Sequence, residues 1–179
     1  SDLDLERIYG EFVCIIGEVG SGKSSLVQAL LNNMIVLNKE ESNVILNGSI
    51  SYVPQEAWIQ NNTVKNNILF YLPFESERYH KILDICELNP DLESLIGGDM
   101  TEIGEKGINL SGGQRARINI ARALYSNKDI YIFDDPISAL DASVGKNIVK
   151  NCIVNYLEDK TRILITHAFL SCSFFPRTL

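Results

Sequence analysis

Three stretches of this chain are apolar without a break: Phe12-Val13-Cys14-Ile15-Ile16, Ile130-Tyr131-Ile132-Phe133 and Ile163-Leu164-Ile165. A strand with one face in water alternates apolar and polar residues. Unbroken runs therefore predict strands buried on both faces, as in a parallel sheet covered by helices. Elsewhere the apolar period is helical. Leu26, Val27, Leu30 and Leu31 fall on one helical face, as do Tyr79, Ile82, Leu83 and Cys86, and Ala116, Ile120, Ala123 and Leu124. Between the second and third strands lies a further stripe, Val144, Ile148, Cys152, Ile153, Tyr156 and Leu157. Ser76 and Ser111 stand where helix N-caps are expected. Two short apolar runs, 44–46 and 50–53, flank Asn47-Gly48 and predict a hairpin. Strands alternating with helices imply an α/β fold with a parallel sheet. Its middle, from about 56 to 123, is a helical insertion.

Length and composition narrow the picture. A chain of 179 residues with 45% apolar content suits one domain with a core of its own. The net charge of −7 argues against a nucleic-acid footprint, which needs a basic face. Anion binding is still open to a site built from backbone N–H groups. Cys14, Cys86, Cys152 and Cys172 lack metal-ligand spacing, and Cys14 and Cys152 sit in apolar patterns as small core residues. No signal peptide and no apolar run of membrane-spanning length is found.

The chemistry is concentrated between the first strand and first helix. Gly17-Glu18-Val19-Gly20-Ser21-Gly22-Lys23-Ser24 fits G-x-x-x-x-G-K-[ST]. Its glycines let the backbone curl so that successive N–H groups and the positive end of the next helix face a β-phosphate. Lys23 is expected at the β/γ oxygens, Ser24 on Mg²⁺, and Ser25 among the nucleotide contacts. A chance Gly-rich turn is the bland alternative, and its placement between a buried strand and an amphipathic helix weighs against that. Asp134, at the tip of the second apolar strand, is positioned to hold the metal's water shell. Asp135 follows at once, where a second carboxylate could orient or deprotonate water, or simply start the Asp135-Pro136 turn. Ser111-Gly112-Gly113-Gln114, after Leu110, opens a second anion-ready helix N-terminus. His167 directly after the third strand and Gln55 after Tyr52-Val53-Pro54 complete the candidates.

In this order the motifs resemble an ABC-transporter ATPase domain: Walker A at 17–24, the Q-loop at Gln55, the signature at 110–114, Walker B at 130–134, the D-loop Ser138-Ala139-Leu140-Asp141 and the switch His167. The runs 52–60, 102–107 and 134–141 look like the first nucleotide-binding domain of the multidrug-resistance-associated (C) subfamily. The resemblance implies a P-loop NTPase fold over residues 1–168 with shortened ends, and an atypical tail at 169–179. It implies ATP and Mg²⁺ as cofactors, with Ser24, Gln55 and Asp134 around the metal and Asp135, His167 and Gln55 in catalysis. It also implies a head-to-tail pairing in which Ser111, Gly112, Gly113 and Gln114 touch a nucleotide held by a second such domain. A transmembrane domain would lie on the side of Gln55 and Glu105, at the cytosolic face of a membrane, and nucleic acid is not among the partners.

The chain departs from the family at three places. Asp135 stands where the family carries a catalytic Glu, a loss of reach of roughly 1.5 Å, so ATP should be held well and hydrolysed slowly. Only Ser1 to Tyr9 precede Gly10, where the family has a strand and an adenine-stacking aromatic residue. After Ala168 the family pattern stops and its closing strands are missing. Three other readings stay open: a non-hydrolysing regulatory ATP-binding domain, a soluble ABC ATPase of translation or DNA repair, and a small-molecule kinase.

Overall fold

A computed structural model describes residues 10–18, 20–35, 46–105, 107–167 and the short strand at 177–178. Val19, Tyr9, the 44–45 part of the expected hairpin, Lys106, Ala168, Cys172 and most of the 169–179 tail lie outside the described residues. The elements follow in the order β1 (Phe12–Ile16), α1 (Lys23–Leu30), β2 (Ile50–Val53), β3 (Asn62–Thr63), α2 (Val64–Leu69), α3 (Ser76–Ile85), α4 (Asn89–Ser94), β4 (Glu102–Ile103), α5 (Gly112–Tyr125), β5 (Ile130–Asp134), α6 (Ala142–Ile148), β6 (Thr161–Thr166) and β7 (Arg177–Thr178).

The main sheet has the order β2-β5-β6-β1-β7 and is parallel throughout. Both of its faces are covered, which is why its strands read as unbroken apolar runs. Successive side chains point to opposite faces. Val13, Ile15, Ile130, Ile132, Ile163 and Ile165 therefore join Val27 and Leu30 of α1 in one core. Phe12, Cys14, Tyr131, Phe133 and Leu164 join the opposite core. That larger core takes in the expected stripes of α3 and α5 together with Ile148, Cys152 and Ile153. Cys14 and Cys152 are fully buried.

The helical stripe after β5 does not form one uniform helix. α6 passes into a π-helix over Val149–Tyr156, closed by Leu157 N–H donating to Cys152 O at 3.2 Å. The insertion also holds a small antiparallel pair, β3 with β4. Two-residue strands are too short to carry a period. At α3 the N-cap is Glu75, with no side-chain cap bond, so Ser76 is not the cap its position suggested. Its hydroxyl instead lies 3.4 Å from His80 Nδ1.

The first run of the hairpin expected at Asn47-Gly48 falls mostly outside the described residues, and its second run is β2. β2 pairs in parallel with β5, from Ile50 opposite Ile130 to Val53 opposite Phe133. Gly48 has φ +135°, and a Cβ there would sit 2.9 Å from Asp129 Cβ. Asp129 Oδ2 accepts from Ser49 N–H at 2.8 Å and Ser49 Oγ–H at 2.7 Å. A glycine is needed because this tie draws the backbone against Asp129 just ahead of β5. The tail also differs from expectation: Arg177 and Thr178 pair in parallel with Val13 and Cys14, so β1 has a neighbour on each side.

Gly48→Ala should destabilise the chain by about 1–3 kcal/mol, from the positive φ and the close approach together. Thermal unfolding measures it. A melting temperature equal to wild type would show that the 48–49 turn yields without loss.

Candidate functional site

Parallel pairing sets every strand's carboxyl end on one edge of the sheet, where α/β proteins bind ligands. Ile16 lies opposite Thr166, Asp134 opposite Ile165 and Val53 opposite Phe133. The 17–24 loop, the Asp134-Asp135 pair, Gln55 and His167 consequently leave the sheet from that one edge.

In the loop, Gly20 and Gly22 take φ +85° and +91°. Gly22 caps α1 without a side-chain bond. The N–H groups of the first turn are thus left to a ligand, in the manner of a phosphate nest. Lys23 bends over the loop, with Nζ donating to Gly17 O and Glu18 O, each at 2.6 Å, and to Ser21 Oγ at 3.4 Å. Ser24 and Ser25 are exposed at the start of α1.

Asp134 is 6% exposed. Burial raises its pKa above the ordinary carboxylate range, and the neighbouring Asp135 adds to this; a hydrogen bond from Tyr52 and the charge of Lys23 oppose it. Tyr52 Oη donates to Asp134 Oδ2 at 3.3 Å. The Tyr52 pKa is in turn pushed up to about 12, mainly by burial and then by Asp134. A buried carboxylate in this condition suits a cation. Among the described residues no group of three or more His, Cys, Asp or Glu side chains could hold a metal unaided.

Asp135 adopts φ +48° and is 4% exposed. Its N–H donates to Ile165 O at 2.7 Å. One carboxylate oxygen accepts from Thr166 Oγ1 at 3.2 Å. The other lies 2.7 Å from His167 Nδ1. The two candidate catalytic side chains therefore meet directly, and the His167 ring keeps an exposed face. Gln55 is exposed two residues past β2.

The signature is built as its sequence suggested. Ser111 is the N-cap of α5 in a full capping box: its Oγ accepts from Gln114 N–H at 3.1 Å, and Gln114 Oε1 accepts from Ser111 N–H at 2.9 Å. Gln114 Nε2 also donates to Asp91 Oδ1 at 3.1 Å, and Asp91 Oδ2 lies 2.8 Å from Arg117 Nη2. Ser111, Gly112, Gly113 and Arg117 line a cleft of about 300 Å³ with Ala139, Leu140, Asp141 and Val144. A Cβ on Gly113 would stand 3.3 Å from Ala139 O. The signature and the D-loop are thus in contact, and no residue of the 17–24 loop lines their cleft. A second groove, about 360 Å³, runs between the 57–61 segment and 104–115, with Glu105 and Arg115 on its walls.

Sequence reasoning missed Tyr52, Thr166, Asp91 and Arg117. Each makes its contact across elements, with sequence separations of 82 for Tyr52 to Asp134 and 31 for Thr166 to Asp135. Local pattern carries no trace of such pairs.

Comparison with known proteins agrees with this geometry. The ABC transporter family model matches residues 1–138. The chain is 55% identical over 170 residues to "ABC transporter C family member 8" of Dictyostelium discoideum, covering 93% of this chain and 10% of that protein. It is 51% identical over 178 residues to "ATP-binding cassette sub-family C member 2" of Homo sapiens, covering 98% of this chain and 11% of that protein. It is also 51% identical over 168 residues to "Multidrug resistance protein mrp-7" of Caenorhabditis elegans, covering 93% of this chain and 11% of that protein. The chain spans about a tenth of the length of these relatives.

Two outcomes follow from the site. Ser111→Ala removes the cap acceptor and should destabilise the fold by about 1 kcal/mol, read from denaturant midpoints. Asp134 behaves oppositely. Its folded pKa is raised, so the stability linked to its protonated form is present below the unfolded value and lost as pH rises through the folded one. At neutral pH Asp134→Asn should therefore raise the nucleotide-free melting temperature. The same change should weaken Mg-ATP binding. A lower melting temperature would show that Asp134 is already compensated without a cation.

Proposed function

The chain belongs to the ABC transporter family, as a C-family nucleotide-binding domain, and from that premise we propose that it binds Mg-ATP in the 17–24 loop, hydrolyses it slowly and pairs head-to-tail with a second nucleotide-binding domain. Residues 1–168 are the ATP-binding domain, with its helical subdomain at about 56–123. The observation that carries this reading is the common edge at which the parallel strands deliver the phosphate loop, Asp134, Asp135 and His167.

The loop N–H groups and the α1 N-terminus hold the β-phosphate. Lys23 leaves its carbonyl contacts for the β/γ oxygens, where its charge is better matched. Ser24, Gln55 and Asp134 would hold Mg²⁺. When bound, that ion neutralises charge developing on the phosphate oxygens. Asp135 and His167 position the attacking water, with Asp135 as its proton acceptor. One Asp135 oxygen is engaged by Thr166 and the other lies 2.7 Å from His167 Nδ1, and the side chain is short. A base must come within hydrogen-bond reach of the water, so ATP stays bound longer than it is turned over.

The exposed signature cleft suits a nucleotide presented by the partner domain, its γ-phosphate against Ser111 and the free N–H groups of α5. The groove beside Glu105 suits a transmembrane domain of the same transporter. Among the described residues no helix is long and apolar enough to cross a membrane. The resemblance to C-family transporters supports a place at the cytosolic face of a membrane. A purely regulatory, non-hydrolysing domain is the second reading, and the short Asp135 side chain, placed against Thr166 and His167, favours it. Single-turnover hydrolysis in a reconstituted pair separates the two.

Lys23→Ala should weaken ATP binding at least about 100-fold, because charge-assisted bonds at ~1.5–3 kcal/mol each are lost. An unchanged affinity in nucleotide titration would sink the site assignment. Asp135→Glu, paired with a competent second domain, should raise the ATPase rate by about tenfold or more. A rate equal to wild type would show that side-chain reach does not limit it.

A further inference from the structure

Gln55 and the signature lie on different elements, and one buried side chain ties those elements together. Arg122, near the C-terminal end of α5, is 7% exposed. Its Nε donates to Asn67 O at 2.7 Å and its Nη2 to Asn67 Oδ1 at 3.0 Å. Its Nη1 donates to Trp58 O and to Asn119 Oδ1, each at 3.2 Å. The guanidinium lies 3.9 Å from the centroid of the Trp58 ring and 5.5 Å from that of Phe70. Asn67 itself accepts from Gln60 N–H at 2.9 Å and donates to Gln60 O at 3.0 Å.

This arrangement is unusual for a buried cation. Arg122 forms no ion pair among the described residues, and neutral oxygens and aromatic faces hold it. Burial lowers its pKa to about 10. A hydrophobic residue would meet the packing need more cheaply, since removing a buried charge from an interior is often neutral or stabilising. What a hydrophobic residue would not provide is a planar fork that fixes several backbone and side-chain oxygens in one orientation. One of those oxygens, Trp58 O, lies in the segment that starts at Gln55, and Asn67, which supplies two more, is itself bonded to Gln60 of that segment.

The geometry points to Arg122 as a positioning residue that fixes the 55–60 segment to the signature helix, so that a shift of Gln55 on Mg-ATP binding is carried to Ser111 and Gly112 at the other end of α5. The proposal rests on the reading of Gln55 as a residue that contacts the bound nucleotide's metal. α5 is an α-helix of 14 residues, about 21 Å long, and a rigid element of that kind transmits a displacement at one end to the other.

Trp58 is the one tryptophan of the chain, so its fluorescence reads this joint without a label. The experiment uses the full chain and ATP with MgCl₂, following ATP affinity by calorimetry, Trp58 emission, and amide exchange over residues 111–117. In wild type, Mg-ATP should shift Trp58 emission and alter exchange at 111–117. Arg122→Lys keeps the charge and loses the fork, and should bind ATP as wild type does while losing the change at 111–117. An exchange response in Arg122→Lys equal to wild type overturns the proposal. Should that variant fail to fold, Trp58→Leu, which removes the ring stacked on Arg122, serves with exchange as the readout: loss of the change at 111–117 with ATP still bound supports the proposal, and its persistence overturns it. Wild type that binds ATP with neither response also overturns it. Wild type that binds no ATP overturns the nucleotide-binding reading itself, a result distinct from all the others.

Discussion

The parallel register of β1, β6 and β5 is the constraint on which the rest of this domain depends. Thr166 faces Ile16 and Asp134 faces Ile165. A slip of one residue in either pairing would exchange the two faces of a strand and move its carboxyl end along the edge. Because both faces are buried, such a slip would gain nothing in polarity on one side to offset poor packing on the other. The alternating assignment of Ile132 to one core and Tyr131 and Phe133 to the other pins the register by shape. The catalytic edge is a by-product of that packing: the loop after β1 and the acids after β5 have to emerge beside one another.

Electrostatics at that edge run against the whole chain. With a net charge of −7, a polyanion would be repelled by an average surface of this protein. In the proposed site, binding is left to backbone dipoles and one lysine, whose Nζ already sits within the loop on carbonyl oxygens. Asp134 and Asp135, adjacent and both buried, are handled differently. Asp135 has Thr166 and His167 as partners. Asp134 has a single phenol and a raised pKa. The more strained carboxylate is the one assigned to the cation, so nucleotide-free stability and metal affinity are set against each other in one side chain.

Most of the sheet and the site was legible in the sequence because the signals are local. The runs at β1, β5 and β6 need only burial on both faces. The loop glycines need only the positive φ seen at Gly20 and Gly22. The capping box at Ser111 and Gln114 closes over four residues. The failures were failures of locality too. Gly48 is fixed by the contact of Ser49 with Asp129, 80 residues on, which no local signal at Asn47-Gly48 reveals. The π-helix after Ile148 preserves the apolar stripe while changing the turn, so periodicity alone could not separate it from an α-helix. The short β3–β4 pair, the bond from Tyr52 to Asp134 and the Asp91 contacts arise only when the insertion folds against the core.

The insertion's attachment shows why α5 is the longest of the described helices. Its first turn forms the signature cleft, with Gln114 and Arg117 held by Asp91 of α4. Its last turns are fixed twice: Arg122 binds Asn67 and Trp58, and Ser51 Oγ of β2 donates to Ala123 O at 3.5 Å. The N-terminal end is therefore tied to the insertion and packed against Ala139 and Leu140, and the C-terminal end is tied to both the insertion and the sheet. Strand β2 thus touches both ends of the proposed machinery: Tyr52 reaches Asp134 and its neighbour Ser51 reaches Ala123 of α5, so the proposed metal site and the signature helix share one strand.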